Sequence, residues 1–227
     1  MKKLILLLLF ISFFFSCSPL KKYEETANVF EKDILILEEL DFQNKADKNN
    51  LLFVGSSSVR LWNNIENDMY PYKSVKRGYG GAHYYDLIHF IERLVINHSP
   101  KAILIFVAND ITGSNDISPE EVKKLFKYCY KVIRKIHKKI PVFVIETTPT
   151  TSRWNVWNKT SEANDLINSY CDSNSNLYFI NTRSKFVGKN GLPIKSLFIS
   201  DELHLSKSGY KIWSDIIKEK LIENNIF

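Results

Sequence analysis

Cysteine is scarce in this 227-residue chain. There are three, at positions 17, 129 and 171, and none lies in a Cys-x-x-Cys pair or another ligand spacing. No pair of histidines has metal spacing either, so neither a metal nor another cofactor is expected. Long apolar runs are also lacking. The longest, Leu4 to Phe15, is too short to span a bilayer. Charge of one sign is modest, because the formal net charge of +6 falls to +4 once Lys2 and Lys3 are set aside. That excess suits an anionic membrane surface, but it is too weak and scattered for a nucleic-acid partner. The chain has no internal repeat and no low-complexity tract. With 44% hydrophobic residues it has enough apolar material for one well-buried domain and too little length for two.

The first residues read as a targeting segment. Lys2 and Lys3 form a basic start, Leu4 to Phe15 an apolar stretch, and Ser16 a small residue before Cys17. Phe14-Phe15-Ser16-Cys17 resembles the lipobox of bacterial lipoproteins, with Phe14 where an aliphatic residue is usual. The resemblance implies a signal peptide over 1–16, lipidation of Cys17, and export to the bacterial cell envelope on a membrane anchor, at its periplasmic or surface face. An ordinary secretory signal and an uncleaved anchor are the other readings. Export permits a disulfide, but Cys129 and Cys171 fall on apolar helix positions and are expected as buried free thiols. Residues 17–50 read as an amphipathic helix and linker. The helix covers Lys21 to Lys45 and carries an apolar stripe of Val29, Phe30, Ile34, Ile36, Leu37 and Leu40.

From residue 51 to 227, strands alternate with helices. Strands are expected at Leu51–Gly55, Lys73–Arg77, Ala102–Val107, Pro141–Glu146 and Leu177–Ile180. Helices are expected at Tyr85–Val95, after a capping box at Ser118-Pro119-Glu120-Glu121, near Thr160–Cys171, and at Ser208–Ile222. Nearly all-apolar strands between helices predict a doubly wound parallel sheet covered on both faces. In such sheets ligands bind beyond the carboxyl ends of the strands.

Four short patterns fall at those ends: Gly55-Ser56-Ser57-Ser58, Arg77-Gly78-Tyr79-Gly80-Gly81, Ala108-Asn109-Asp110 and Asp201-Glu202-Leu203-His204. Acyl transfer needs a nucleophile, a base, an orienter for the base, and donors for an oxyanion. A serine hydroxyl becomes reactive when an imidazole takes its proton, and an Asp three residues before a His can orient that ring. Asn109 supplies an amide donor, and Gly81 lets a backbone N–H approach closely.

With these residues in order, the chain resembles the SGNH, or GDSL-type, hydrolases over most of its length. Ser57 matches that family's nucleophile, Gly81 and Asn109 the glycine and asparagine of its second and third blocks, and Asp201 and His204 its terminal Asp-x-x-His, continued by Leu205 to Tyr210. Ser56 stands where Asp is common, and Val107 where the third block usually has Gly. The resemblance implies a flavodoxin-like three-layer α/β/α fold with a five-stranded parallel sheet. It also implies no metal and hydrolysis of carboxylic esters. Ser57, Asp201 and His204 are then the triad, and the N–H groups of Ser57 and Gly81 with the Asn109 side chain form the oxyanion hole. The favoured substrate is an O-acetyl or short-acyl group on a carbohydrate or small molecule. A lysophospholipase or short-chain lipase, and a non-catalytic glycan-binding envelope lipoprotein, are the alternatives. The oligomeric state has no signature in the sequence.

Other residues have competing readings. Val59, two residues after Ser57, excludes the α/β-hydrolase elbow, which needs Gly there. No Lys-Ser/Thr follows Gly78–Gly81, which excludes a P-loop. His83 is equally suited to the pocket wall or a surface loop. Asp110 suits a turn or cap better than a second base. Arg60 and Trp62 suit packing or a surface ion pair better than the pocket. Ser152-Arg153-Trp154 and Trp157 form a polar, aromatic loop that suits either contact with a sugar or lipid or packing over the sheet edge.

Overall fold

A computed structural model describes residues 19–43 and 48–226. Cys17 and the expected signal peptide at 1–16 lie outside the described residues, as does the end of the expected helix at Lys45. The elements run α1 (Pro19–Lys22), α2 (Glu24–Asn28), α3 (Glu31–Gln43), β1 (Leu51–Gly55), α4 (Ser57–Arg60), α5 (Ile65–Asp68), β2 (Ser74–Gly78), α6 (Tyr84–Val95) and β3 (Ala102–Phe106). They continue with α7 (Pro119–Ile136), β4 (Val142–Ile145), a 3-10 segment (Thr151–Val156), α8 (Trp157–Asp172), β5 (Leu177–Ile180), α9 (Arg183–Phe186), a 3-10 turn (Lys195–Leu197) and α10 (Lys207–Glu223).

The five strands form one parallel sheet in the order β2-β1-β3-β4-β5. This is the expected doubly wound fold. Its strand order reverses at β1, between β2 and β3, so a crevice opens beyond the ends of β1 and β3. Alternation along each strand divides the core. Leu52, Val54, Ile103, Ile105, Val142 and Val144 face one way, toward α6, α7 and α8. Leu51, Phe53, Leu104, Phe143 and Ile145 face the other way, toward α4, α5 and α10. The result is three layers, α/β/α. Cys129 and Cys171 are free and buried, as expected.

The N-terminal segment differs from the single amphipathic helix expected. It forms α1 to α3 and wraps the α6 side of the molecule. Ala27 and Ile34 are buried there, with Phe30 and Leu37 packed against them, whereas Val29, Ile36 and Leu40 of the expected stripe are exposed. Ile36 and Leu40 belong to α3 itself but lie on a different face from Ile34 and Leu37, at about 100° of turn per residue, so the expected stripe is two faces of which one is buried. Polar contacts reinforce the docking. Arg93 of α6 reaches Glu31 and Glu38, and buried Arg77 of β2 donates through Nε to buried Asp41 at 2.7 Å.

The expected capping box at Ser118 forms only in part. Ser118 Oγ accepts the Glu121 N–H at 3.2 Å and Pro119 opens α7, but the Glu121 carboxylate turns to Lys22, Tyr23 and Lys124. A full box forms instead at α6, between His83 and Asp86. The expected irregular segment over 181–200 contains α9 and the 3-10 turn.

Gly55 ends β1 at φ +130°, and a Cβ there would lie 1.9 Å from the Phe106 carbonyl oxygen. Both the dihedral and the contact require glycine. Gly55→Ala is therefore expected to destabilise the protein by about 3 kcal/mol or more, read as a lowered urea midpoint. A midpoint within experimental error of the wild type would contradict this account of the β1–β3 contact.

Candidate active site

Ser57 is placed by the end of β1. The Ser56 N–H donates to Phe106 O at 2.8 Å, and α4 begins at Ser57 itself. Its Oγ therefore stands at the crevice between β1 and β3. Opposite it, Ser206 caps α10, accepting the Gly209 N–H, and the turn before that cap carries Asp201 to His204. His204 Nε2 lies 2.9 Å from Ser57 Oγ, and His204 Nδ1 lies 2.6 Å from Asp201 Oδ2. Asp201 Oδ1 accepts the backbone N–H groups of Leu203 and His204, each at 2.9 Å. Partial burial pushes the Asp201 carboxyl pKa up, but the hydrogen bonds from His204 and these two N–H groups outweigh it and leave the pKa below the ordinary value. Asp201 is thus ionised at neutral pH. It fixes the proton of His204 on Nδ1 and leaves Nε2 free to accept from the serine.

The oxyanion side comes from the other two blocks. Gly81 sits at φ +78°, and neither its N–H nor that of Ser57 donates to an acceptor among the described residues. Asn109 Nδ2 donates to Ser56 Oγ at 2.7 Å and to Ala82 O at 2.9 Å. Asn109 Oδ1 accepts from Arg153 Nη2 at 2.7 Å, while Arg153 Nη1 donates to Ala108 O at 2.6 Å. Arginine has no acceptor, so the amide oxygen must face it and the amide nitrogen must face the serine turn. Val107 points into the core rather than the cleft, and Asn109 keeps its place beside Ser56.

Of the site residues expected from the sequence, Ser57, Asn109 and His204 line one cleft and Asp201 backs His204, while Gly81 precedes Ala82, whose carbonyl accepts from Asn109. Other candidates fall elsewhere. His83 caps α6 through Asp86 and stacks on Tyr85, rather than lining the cleft. Trp62 is fully buried against Phe53, Tyr210 and Trp213. Arg60 lies over Gly80. Asp110 is a cap, as expected, though for a distant helix: it accepts the Tyr84 N–H at the start of α6. Sequence reasoning leaves the Arg153 loop between ligand contact and packing and gives no sign that its side chain grips Asn109.

The cleft at Ser57 holds about 540 Å³ and has Phe106 and Trp213 against its inner end, with Thr147, Thr150 and Trp157 along its walls. A second, larger groove begins on the other side of His204, where Asn63, Asn64, Asp68 and Lys207 line it together with Leu61, Trp62 and Ile199. No group of His, Cys, Asp and Glu among the described residues could hold a metal ion.

No family model and no curated protein sequence matches the chain. Solved structures do. A Bacteroides fragilis protein assigned as an acylhydrolase aligns at a TM-score of 0.71 and 22% identity, covering 88% of this chain and 98% of its own. A GDSL-like lipase from Bacteroides thetaiotaomicron aligns at 0.66 and 18%, covering 87% and 98%. A carbohydrate esterase of family 3 from Talaromyces cellulolyticus aligns at 0.59 and 14%, covering 78% and 97%. The chain therefore has the α/β/α fold of the GDSL-type hydrolases.

Asp110 provides a test of the electrostatics around the cleft. Burial raises its pKa to about 7, against the lowering effect of the Tyr84 N–H. Its folded pKa exceeds the unfolded value near 4, so the stability it contributes is full below about pH 4 and is lost as pH rises through about 7. Wild type should therefore lose stability relative to Asp110→Asn between about pH 4 and pH 7, by up to about 4 kcal/mol. Urea unfolding of both proteins at several pH values measures this. A difference that does not change with pH would contradict the assignment.

Proposed function

We propose that this protein is a serine ester hydrolase acting on carboxylic esters, with an O-acetyl or other short-acyl group on a carbohydrate as its preferred substrate. The observation that carries the reading is the unbroken chain of hydrogen bonds from Ser57 Oγ through His204 to Asp201. Ser57 Oγ attacks the ester carbonyl as His204 Nε2 takes its proton. The carbonyl oxygen becomes an oxyanion, stabilised by the N–H groups of Ser57 and Gly81 and by Asn109 Nδ2. His204 returns the proton to the departing alcohol oxygen and an acyl-serine remains. Water, deprotonated by His204, attacks the acyl-serine, and the carboxylic acid and free Ser57 are released.

In the resting site both protons of Asn109 Nδ2 are engaged. The Nδ2 proton on Ser56 Oγ is the one shared with the oxyanion when it forms, because it faces the serine turn. Two bulky buried side chains, Phe106 and Trp213, line the cleft at Ser57, which suits a short acyl group. In the groove beyond His204, Asn63, Asn64, Asp68 and Lys207 offer partners for the hydroxyls of a sugar, and Leu61 and Ile199 offer an apolar face for its ring. The fold-level likeness to a carbohydrate esterase agrees with this choice. Lipidation of Cys17 and anchoring to the bacterial cell envelope, at its periplasmic or surface face, belong to the same proposal and rest on the Phe14–Cys17 pattern.

Hydrolysis of p-nitrophenyl esters of increasing chain length by the purified protein tests the reading. Turnover should be greatest on the acetate. Ser57→Ala should abolish it, and Asn109→Ala should lower kcat by roughly 10²–10³-fold. A maximum at long chains would shift the substrate to lipids. Equal turnover by wild type and Ser57→Ala on every ester would overturn the proposal.

A further inference from the structure

We propose that Arg153 is a positioning residue for the oxyanion hole, holding the Asn109 amide in its donating orientation and strengthening that donor by drawing charge through the amide oxygen. This deepens the hydrolase reading and rests on Asn109 acting as a donor there. The geometry is a two-pronged grip on consecutive residues: one guanidinium nitrogen on the Ala108 carbonyl and the other on the Asn109 side-chain oxygen. Together they fix both the backbone of the block-three loop and the rotation of the amide.

The chemistry of an amide makes this grip more than mechanical. Its C–N bond has partial double-bond character, so a cation on the oxygen withdraws electron density from the nitrogen. The Nδ2–H bonds become better donors to a negative oxygen. A charge-assisted bond of this kind is about twice as strong as a neutral one, and the partly buried wall of the cleft screens it weakly. Arg153 forms no ion pair among the described residues. Asp116, whose field reaches it, is engaged by the Thr112 and Gly113 N–H groups and by Lys159. The positive charge is therefore directed at Asn109 rather than neutralised by a carboxylate.

The loop that carries Arg153 is fixed at its other side as well. The Ser152 N–H donates to the Glu202 carbonyl, within the turn that holds Asp201 and His204. Ser152 and Arg153, adjacent in sequence, thus join the proton-transfer half of the site to the oxyanion half. An arginine that served only to fold the loop would need neither the amide contact nor a place on the cleft wall.

The test combines kinetics with a direct view of the amide. On p-nitrophenyl acetate, Arg153→Met should lower kcat by roughly 10- to 100-fold, with KM changed by less than about 2-fold, because the lost interaction acts mainly on the transition state. Arg153→Lys, which keeps the charge but not the fork, should fall between the two. In an Asn109→Ala background the same Arg153→Met change should cost less than about 2-fold, since its target is gone. The NMR signal of the Asn109 side-chain NH2 should move in Arg153→Met while the backbone spectrum stays that of a folded protein.

An equal loss in both backgrounds, or an unmoved amide signal in folded Arg153→Met, would overturn the proposal. The amide signal needs no turnover, so it decides the grip itself independently of substrate. Full turnover by Ser57→Ala would remove the hydrolase reading and this proposal together. An inactive Ser57→Ala with an unmoved amide signal would remove this proposal alone.

Discussion

The carboxyl ends of β1 and β3 are pressed together more closely than side chains allow. At Gly55 there is no room for a Cβ beside the Phe106 carbonyl, and the next N–H, from Ser56, donates to that same carbonyl. This contact sets where the chain leaves each strand. Ser56 Oγ then sits within reach of Asn109, and Ser57 is turned into the crevice. The relative position of nucleophile and amide is thereby fixed by two rigid strands rather than by loop conformation, which is the arrangement a reactive site requires.

Each face of the sheet then supports one half of the proposed chemistry. The proton side belongs to α10. Tyr210 donates to the Ser58 carbonyl, Trp213 donates to Thr148, and both rings pack with Trp62 over Phe53 and Phe106. This packing holds the turn with His204 against the serine. The oxyanion side belongs to α6. Its first turn is fixed by Asp110 on the Tyr84 N–H and by the His83–Asp86 box, with Tyr79 donating to Asp86. The Gly81 loop is the lead into that turn. The sheet thus separates two independently packed supports that meet only at its edge.

Much of this was legible in the sequence. Four apolar runs mark β1, β3, β4 and β5 because a parallel sheet buries both faces, while the edge strand β2, Ser-Val-Lys-Arg-Gly, is read from its place in the alternation. The order of the Ser57, Gly81, Asn109 and Asp201–His204 blocks reads through because each lies just past a strand or just before a capped helix. Arg153 was not legible as a site residue. Its partners are an amide and a carbonyl 44 and 45 residues away, and such pairings leave no periodicity. The N-terminal stripe misled for a related reason. Within α3 alone, Ile34 and Leu37 face the core and Ile36 and Leu40 face outward, so a set of apolar residues drawn from both faces passes for one stripe. At α7, Glu121 had the spacing of a capping partner but met Lys22 and Tyr23 of the wrapped segment first. Tertiary contact outweighed a local preference of about 1 kcal/mol.

The buried pair of Asp41 and Arg77 has a consequence for how such a chain can change over generations. Loss of either partner alone strands a buried charge, at about 3–5 kcal/mol. That is a large share of the 5–15 kcal/mol, roughly, by which a domain of this kind stays folded. His98, also buried, has its Nε2 3.0 Å from the same Asp41 oxygen, so replacing Asp41 and Arg77 together still leaves a buried ring nitrogen without its partner. The three positions are therefore coupled, and a change at any one of them lowers the tolerance for change at the other two. The wrapped N-terminal segment is tied to the sheet by this shared constraint as well as by packing.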